Sequence, residues 1–419
     1  MGALGRARVA VPLPCPAGNT EIRMFLGEPP GHPGILPREP ESSSMWKGKA
    51  IARTLVVLCL LGLAALVFAP GATPLPHLEY WTADWRTAFL SDRAASEHAK
   101  IAVVLIDDET LEPYPYLSPT DRSLIAEIVR TLNAARAAVV GLDFFFVKPT
   151  ETRKDDELVT ALRSPPEARI VLGFADERVP LNERQRAFQS AYLARIGRPI
   201  GYLNLSVDAD GVVRYKPTPA RNASVTESFA QAIAGAAGAP TSNGTARIAW
   251  LLPASGVTPF AVIRGQDLIA AAHDPSAPDN AALLAKLAGR IVLVGSNVAF
   301  SDQRSTPLGV RGGEKTPGVL VQAQMVAELV DGRQISELSW HETQALVVGM
   351  WAAGCLLSWL ASRRGFKFSR WTLGVIFLVA VDVVIFGRWR LVLPFTLGMA
   401  AWILGVTAGQ FVSQMKLRN

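Results

Sequence analysis

Cysteine is nearly missing. The 419 residues hold three, Cys15, Cys59 and Cys355. The first lies in a Pro- and Gly-rich leader and the other two in long apolar runs. The stretch between residues 70 and 340 therefore has none, which excludes a disulfide framework there. Histidine is as scarce. His32, His77, His98, His273 and His341 stand far apart with no partner at ligand spacing, so no zinc site is expected. Charge is thin too, at 19% of residues. The net charge of +6 is not gathered into a basic patch interleaved with aromatics, and no nucleic acid partner is expected. No Gly-x-Ser-x-Gly elbow and no Walker phosphate loop are present, and nothing calls for a cofactor.

What is abundant is apolar length, and it is unevenly placed. Mean hydropathy is +0.23, and the apolar residues concentrate in four blocks. The first, at residues 50–70, follows Lys47 and Lys49 and ends at Pro70-Gly71, close to the roughly 17 to 25 residues that a bilayer requires. A cleaved signal peptide starting at Met45 fits the same pattern. An uncleaved anchor fits better, because Pro70 directly follows the best small-residue site. The other blocks, residues 345–361, 371–387 and 391–412, crowd the carboxyl end. Four basic residues in the joint Ser362–Arg370, and more in the tail, point those segments to the cytoplasm. Residues 78–340 are then expected outside, tethered at both ends. The two arginines of Gly387-Arg-Trp-Arg390 must also lie outside.

Residues 1–44 have no periodicity and no core-forming pattern. They read either as a disordered cytoplasmic tail or as a mis-assigned leader upstream of a true start at Met45.

Between the anchors the grammar is α/β. Ile101–Ile106 is a continuous apolar run closed by carboxylates, the pattern of a strand buried on both faces. Ser118-Pro-Thr-Asp121 has the form of a capping box with Pro119 at the first helical position. Leu124, Ile125, Ile128, Val129 and Leu132 share one face of the helix behind it. Ala138–Asp143 repeats the first strand's pattern, so the two strands are expected to run parallel. Further strands are expected at Ala168–Phe174, Ile200–Leu205, Ala249–Leu252 and Arg290–Gly295. Helices are expected at Glu157–Leu162, Ser228–Ala237 and Val319–Val330, and the segment Ala175–Arg198 reads as an insertion. Asp208-Ala-Asp-Gly211 reads as a plain turn, since a calcium loop's terminal acidic ligand is missing. Leu78–Leu90 is amphipathic, with Leu78, Trp81, Trp85 and Phe89 on one face, and suits a helix continuing from the first span. The fold class expected is an α/β extracytoplasmic domain with a mostly parallel sheet, plus a helical membrane part of one amino-terminal and three carboxyl-terminal spans.

Parallel sheets bind ligands at the carboxyl ends of their strands. Polar residues fall there at Asp107, Asp108, Asp143, Ser296 and Asn297, with Asp302 in the following loop, and these are the candidate ligand-binding rim. Trp81, Trp85 and Asp382 are candidates for coupling to the membrane. Asp382 is an ionisable group within an apolar span, a costly placement that suits either a partner helix or the outer interface near Arg388. A periplasmic enzyme using Asp107, Asp108 and Asp143 as acid, base or metal ligands is an alternative, as is a structural membrane adaptor. Against the enzyme, such carboxylates commonly cap helices.

The order of several short motifs is more specific than any one of them. Ile106-Asp-Asp-Glu109, Val140-Gly-Leu-Asp-Phe-Phe-Phe146 and Gly201-Tyr-Leu-Asn204 come first. Asp208-Ala-Asp-Gly-Val-Val-Arg214, Gly289–Ser296, Ser305-Thr-Pro-Leu-Gly309 and Pro317–Gln324 follow. Together they resemble the type-two CHASE (CHASE-2) domain, an extracellular sensory domain associated with bacterial cyclases, histidine kinases and Ser/Thr kinases. The resemblance covers about Leu78 to Arg333. It implies a non-enzymatic sensor in a bacterial inner membrane, with one helix before the domain and about three after. Two departures stand out. Glu112-Pro-Tyr-Pro-Tyr116 replaces the family's Gly-Arg-Trp-Pro-Trp-type stretch, losing its basic residue. Family members also commonly continue into a catalytic domain, whereas this sequence stops at Asn419. The expected partners are the lipid bilayer, a separate cytoplasmic or membrane effector, and a second copy of the chain.

Overall fold

Six apolar strands carry the architecture. They are β1 (Ile101–Ile106), β2 (Val139–Asp143), β3 (Arg169–Phe174), β4 (Ile200–Tyr202), β7 (Ala261–Arg264) and β8 (Ile291–Ser296), with the small hairpin β5 (Ser206–Val207) and β6 (Val213–Tyr215) between. All six run parallel in one sheet of order β4-β3-β2-β8-β1-β7. The computed structural model describes residues 41–164, 168–240, 246–254, 258–298, 302–362 and 369–417. Residues 1–40 of the leader lie outside them, and so does either reading of it. Residues 50–419 group as one unit.

The run of six buried residues in β1 has a simple cause, since helices cover both faces of the sheet. Alternate residues point to opposite sides. Ala102, Val104 and Ile106 join Val140, Leu142, Val292 and Val294 in one core, under α4 (Arg122–Ala134), α5 (Thr152–Arg163), α6 (Glu183–Ile196) and α8 (Gly265–His273). Ile101, Val103 and Leu105 join Val139, Ile291 and Leu293 in the other, under α7 (Phe229–Ala236) and α10 (Gly318–Asp331). Each fully buried Val, Leu or Ile here contributes about 1.5–3 kcal/mol. Glycine sets how closely α7 can sit. A Cβ at Gly201 would stand 2.6 Å from the Phe229 Cα.

Strands β1 and β2 are parallel as their pattern predicts, but they are not neighbours. The late strand β8 lies between them, with Ile106 opposite Ser296 and Asp143 opposite Gly295. That insertion places three strand ends side by side.

Several expectations are corrected. Helix α4 begins at Arg122, not at Pro119, because Asp121 is its cap and accepts from the Ser123 amide at 2.9 Å. Residues 175–198 contain a full helix, α6, opened by an Asn182/Gln185 capping box. Residues 249–252 form no sheet strand. Their extended backbone is held by side chains of α10. Gln324 accepts from the Leu251 amide at 2.8 Å and donates to its carbonyl at 2.9 Å, and Glu328 accepts from the Ala249 amide at 2.9 Å. The first span, α1 (Glu41–Phe68), does not continue into the amphipathic stretch. A 3-10 turn at Pro70–Ala72 separates it from α2 (Leu75–Leu90), since Pro70 and Pro74 interrupt helical hydrogen bonding.

The span count is also corrected. Among the described residues, three helices are long and apolar enough to cross a membrane, at Gly48–Phe68, Trp340–Leu360 and Phe395–Met415. They belong to α1, α11 (Trp340–Ser362) and α13 (Phe395–Leu417). The expected segment 371–387 is helical, within α12 (Ser369–Trp389), but it is not among the three. It carries Asp382, whose charge is used in the junction described below. Helices α11 and α13 pack backbone to backbone. A Cβ on Gly405 would meet the Trp351 carbonyl oxygen at 2.1 Å, so only glycine permits this approach.

Candidate functional site

A cleft of about 640 Å³ opens where β2 and β8 end. It is lined by Asp143, Ser296 and Asp302, by the buried Gln322 and the half-buried Asn204, and by the exposed Arg304 and Lys148. Gly295 lets the start of α10 close over it, since a Cβ there would lie 2.6 Å from that of Val319. Phe144, Leu203 and Val319 supply the apolar part of the wall.

Asp143 is pushed up to about 7, first by loss of water contact and then by the Asp302 carboxylate, with Arg304 opposing. Ser296 Oγ donates to Asp302, and the Asp302 carbonyl accepts from the Gly318 amide at 2.9 Å, which ties the loop to α10. Two amide oxygens at the cleft, Gln322 Oε1 and Asn204 Oδ1, are buried and have no hydrogen-bond partner. Gln322 itself is 2% exposed, and its nitrogen donates to the Leu203 carbonyl at 3.1 Å.

Of the rim residues expected from sequence, Asp143, Ser296 and Asp302 line the cleft together. Asn297 stands beside it, its Oδ1 accepting from Gln303 Nε2 at 2.6 Å. Asp107 is the cap of α3 (Asp108–Leu111) and accepts from the Thr110 amide at 2.9 Å and from its hydroxyl at 2.6 Å. Asp108 opens the first turn of that helix. Neither residue lines the cleft. Asn204, Gln322, Arg304 and Lys148 escaped the sequence reading, which looked only at strand ends.

The second concentration of charge is around α2. Arg214, 1% exposed, donates from Nε and Nη2 to Asp84 of α2 at 2.8 and 2.7 Å, and to Asp208 and Asp210 of the β5–β6 turn at 2.7–2.8 Å. The turn's two carboxylates are thus engaged by an arginine. Burial pushes the Asp84 carboxyl up, against the pull of Arg214, and the three carboxylates raise Arg214 in turn. Two residues along α2, Arg86 bonds Asp382 of α12 and reaches Glu79 at 3.0 Å and the Leu393 carbonyl at 3.1 Å. Glu79 accepts from the Phe395 and Thr396 amides at 3.1 and 2.7 Å, capping the positive end of α13. Arg390 bonds Asp92 and donates to the Leu90 carbonyl at 2.7 Å. Asp382 therefore meets an arginine of its own chain. Trp85 stacks on Phe89 with centroids 5.0 Å apart, and Trp81, 56% exposed, meets Trp85 edge-on at 5.8 Å. The signal for Glu79, Asp84 and Arg86 was present in the sequence as charge on an apolar juxtamembrane helix.

Cleft and junction are joined by a short piece of chain. After Arg304, Ser305 accepts from the Val213 amide at 2.9 Å, next to Arg214. The following 3-10 turn, Pro307–Arg311, packs against α2.

A parallel α/β domain with a polar cleft at its strand ends has the arrangement in which open parallel sheets bind ligands, and here it is followed by long apolar helices. The comparison with known families is specific: residues 55–361 match the CHASE2 domain, and the chain belongs to that family of extracellular sensory domains. Neither curated proteins nor solved structures give a match.

Proposed function

We propose that the protein is a multi-pass bacterial inner-membrane sensor whose residues 78–340 face outward. The cleft receives a small molecule or an envelope component, and the signal passes through α2 to the membrane helices and on to a separate effector. The observation that carries this reading is the continuity of the polar chain. Arg304 at the cleft adjoins Ser305, Ser305 pairs with β6, Arg214 of β6 holds Asp84, and Arg86 of the same helix holds Asp382. A shift of the cleft loop by a ligand thus acts on α2, which is bonded to both α12 and α13. Coupling by this route requires that the linkage have two arrangements, one of them favoured by the ligand.

The test is a mild-detergent pull-down of the full-length protein followed by mass spectrometry, for wild type and Asp84→Asn. The expected result is a reproducible kinase, cyclase or similar effector with both proteins, its activity set by the wild type and unregulated with the variant. Recovery of the protein alone, with envelope-linked outputs unchanged by its deletion, sinks the idea. Outward orientation is checked separately, by labelling Ser224→Cys with a membrane-impermeant maleimide in intact spheroplasts.

A further inference from the structure

The cleft sets buried acceptors that lack donors beside exposed cations that lack acceptors, with the buried Arg122 Nε, which has no hydrogen bond, also in its wall. Asp143 and Asp302 are carboxylates close enough to repel each other. Beside them, Gln322 Oε1 and Asn204 Oδ1 are acceptors with no donor. The Gln322 orientation is fixed independently, because its nitrogen is engaged by the Leu203 carbonyl and leaves the oxygen as the open end. A buried acceptor without a donor is destabilising, so this arrangement suits an arriving group rich in N–H. The exposed Arg304 and Lys148 side chains make no hydrogen bond to the described residues, and both line the same cleft.

We infer that the cleft binds a zwitterion of amino-acid type, its ammonium set among Asp143, Asp302, Asn204 and Gln322 and its carboxylate facing Arg304 and Lys148. This rests on the reading of the cleft as the sensory site. A plain anion leaves the Asp143 carboxylate and the two amide oxygens without donors. A plain amine leaves both cations unanswered. Phe144, Leu203 and Val319 then cover the aliphatic part of the ligand, and 640 Å³ leaves room for a free amino acid or a short peptide.

The charged groups acting on Asp143 are Asp302 and Arg304 from the loop after β8, while Lys148 and Arg122 line the same cleft. Arg122 is itself paired with Asp155 at 3.5 Å. An ammonium requires the ionised form of Asp143, so affinity rises up to about tenfold per pH unit toward neutrality and levels off above it.

The experiment is a thermal-shift and calorimetric screen of the purified full-length protein in detergent. The probes are the twenty common L-amino acids, L-alanyl-L-alanine, and the N-acetylated and methyl-ester form of each probe that binds. The expected result is at least one zwitterion that binds, with both blocked forms weaker by more than about tenfold, the gap of one lost charge-assisted pair. Asp143→Asn and Arg304→Gln weaken it similarly. Preference for the dipeptide over the amino acids assigns the source to peptides. Equal binding of an N-acetylated form, or no zwitterion binding at millimolar concentration, overturns the inference. Glucose, glycerol, succinate and spermidine are run alongside. If one of these binds and Asp143→Asn abolishes it, the zwitterion is wrong and the sensory cleft stands. If a zwitterion binds but Asp143→Asn and Arg304→Gln leave it unchanged, the cleft assignment itself falls.

Discussion

The two polar clusters of this molecule use burial in opposite ways. At the junction, Arg214 is 1% exposed and each of its guanidinium nitrogens has a carboxylate partner. At the cleft, Gln322 is 2% exposed and its oxygen has none, while Asp143 is crowded by a second carboxylate. Burying a charge is costly unless its partners are built in, and around Arg214 the junction builds them in. The cleft leaves its partners to be supplied. The first arrangement holds two parts of the chain in register, and the second gives a binding site its appetite for a ligand.

The comparison breaks most sharply at Arg214. Arg214→Met leaves Asp84 buried without its cation and should lower stability by about 3–5 kcal/mol, read as a loss of folded protein or a large fall in Tm. Arg214→Lys should not restore it, because one ammonium cannot replace a fork that serves three carboxylates. Near-wild-type stability for Arg214→Met would mean that the junction is no more demanding than the cleft.

The contact with α12 comes next. Arg86→Met strands the Asp382 charge and should cost about 3–5 kcal/mol, whereas Asp382→Leu should cost less, since Arg86 keeps Glu79 at 3.0 Å. The double variant should fall short of their sum by more than about 1 kcal/mol. Additive losses would show that Asp382 and Arg86 do not depend on each other.

At the cleft the sign reverses. The folded-state value of Asp143, near 7, lies above that of an unfolded aspartate, so the native state holds a proton that the unfolded chain has already released. Its contribution to stability therefore declines as pH rises from about 4 through 7. Asp143→Asn removes that decline. It should be neutral at pH 4 and stabilising by about 1–2 kcal/mol at pH 8, below the full value because the carboxyl is partly solvated. Destabilisation at pH 8 would place Asp143 with the satisfied charges of the junction.

The sheet was legible because its strands announce themselves. β1 is apolar at every position and ends in carboxylates, and so are β2 and β8 up to their polar ends. Their spatial order was not legible, since nothing local says that β8 inserts between β1 and β2. Residues 249–252 misled for a related reason. Trp250 and its neighbours have strand composition, but Ala249 and Leu251 bond to Glu328 and Gln324, over seventy residues away, and Leu252 to the backbone of Asp92 and Ala94. Rim carboxylates could be read from their places after apolar runs. Whether each serves a cap, as Asp107 does, or a cleft, as Asp143 does, depends on what packs opposite. Asp382 shows the same limit: its cost was visible in an apolar span, while its partner Arg86 lies 296 residues away.

The smallest effect should come from the aromatic face of α2, which belongs to neither cluster. Trp85 gains a stacked partner in Phe89, whereas Trp81 offers one edge contact and is 56% exposed. Trp81→Ala should therefore cost only about 0.5–1 kcal/mol in detergent, the worth of one edge-to-face pair. Its environment in a bilayer is the sharper readout. Indole rings favour the membrane interface, so brominated phospholipids should quench Trp81 fluorescence in a variant retaining only that tryptophan. Quenching by lipid means that this face of α2 rests on the bilayer and that the junction works from the other face alone. Protection from lipid, with a blue-shifted emission, means instead that protein covers the face, and α2 then has a third contact through which a partner can act.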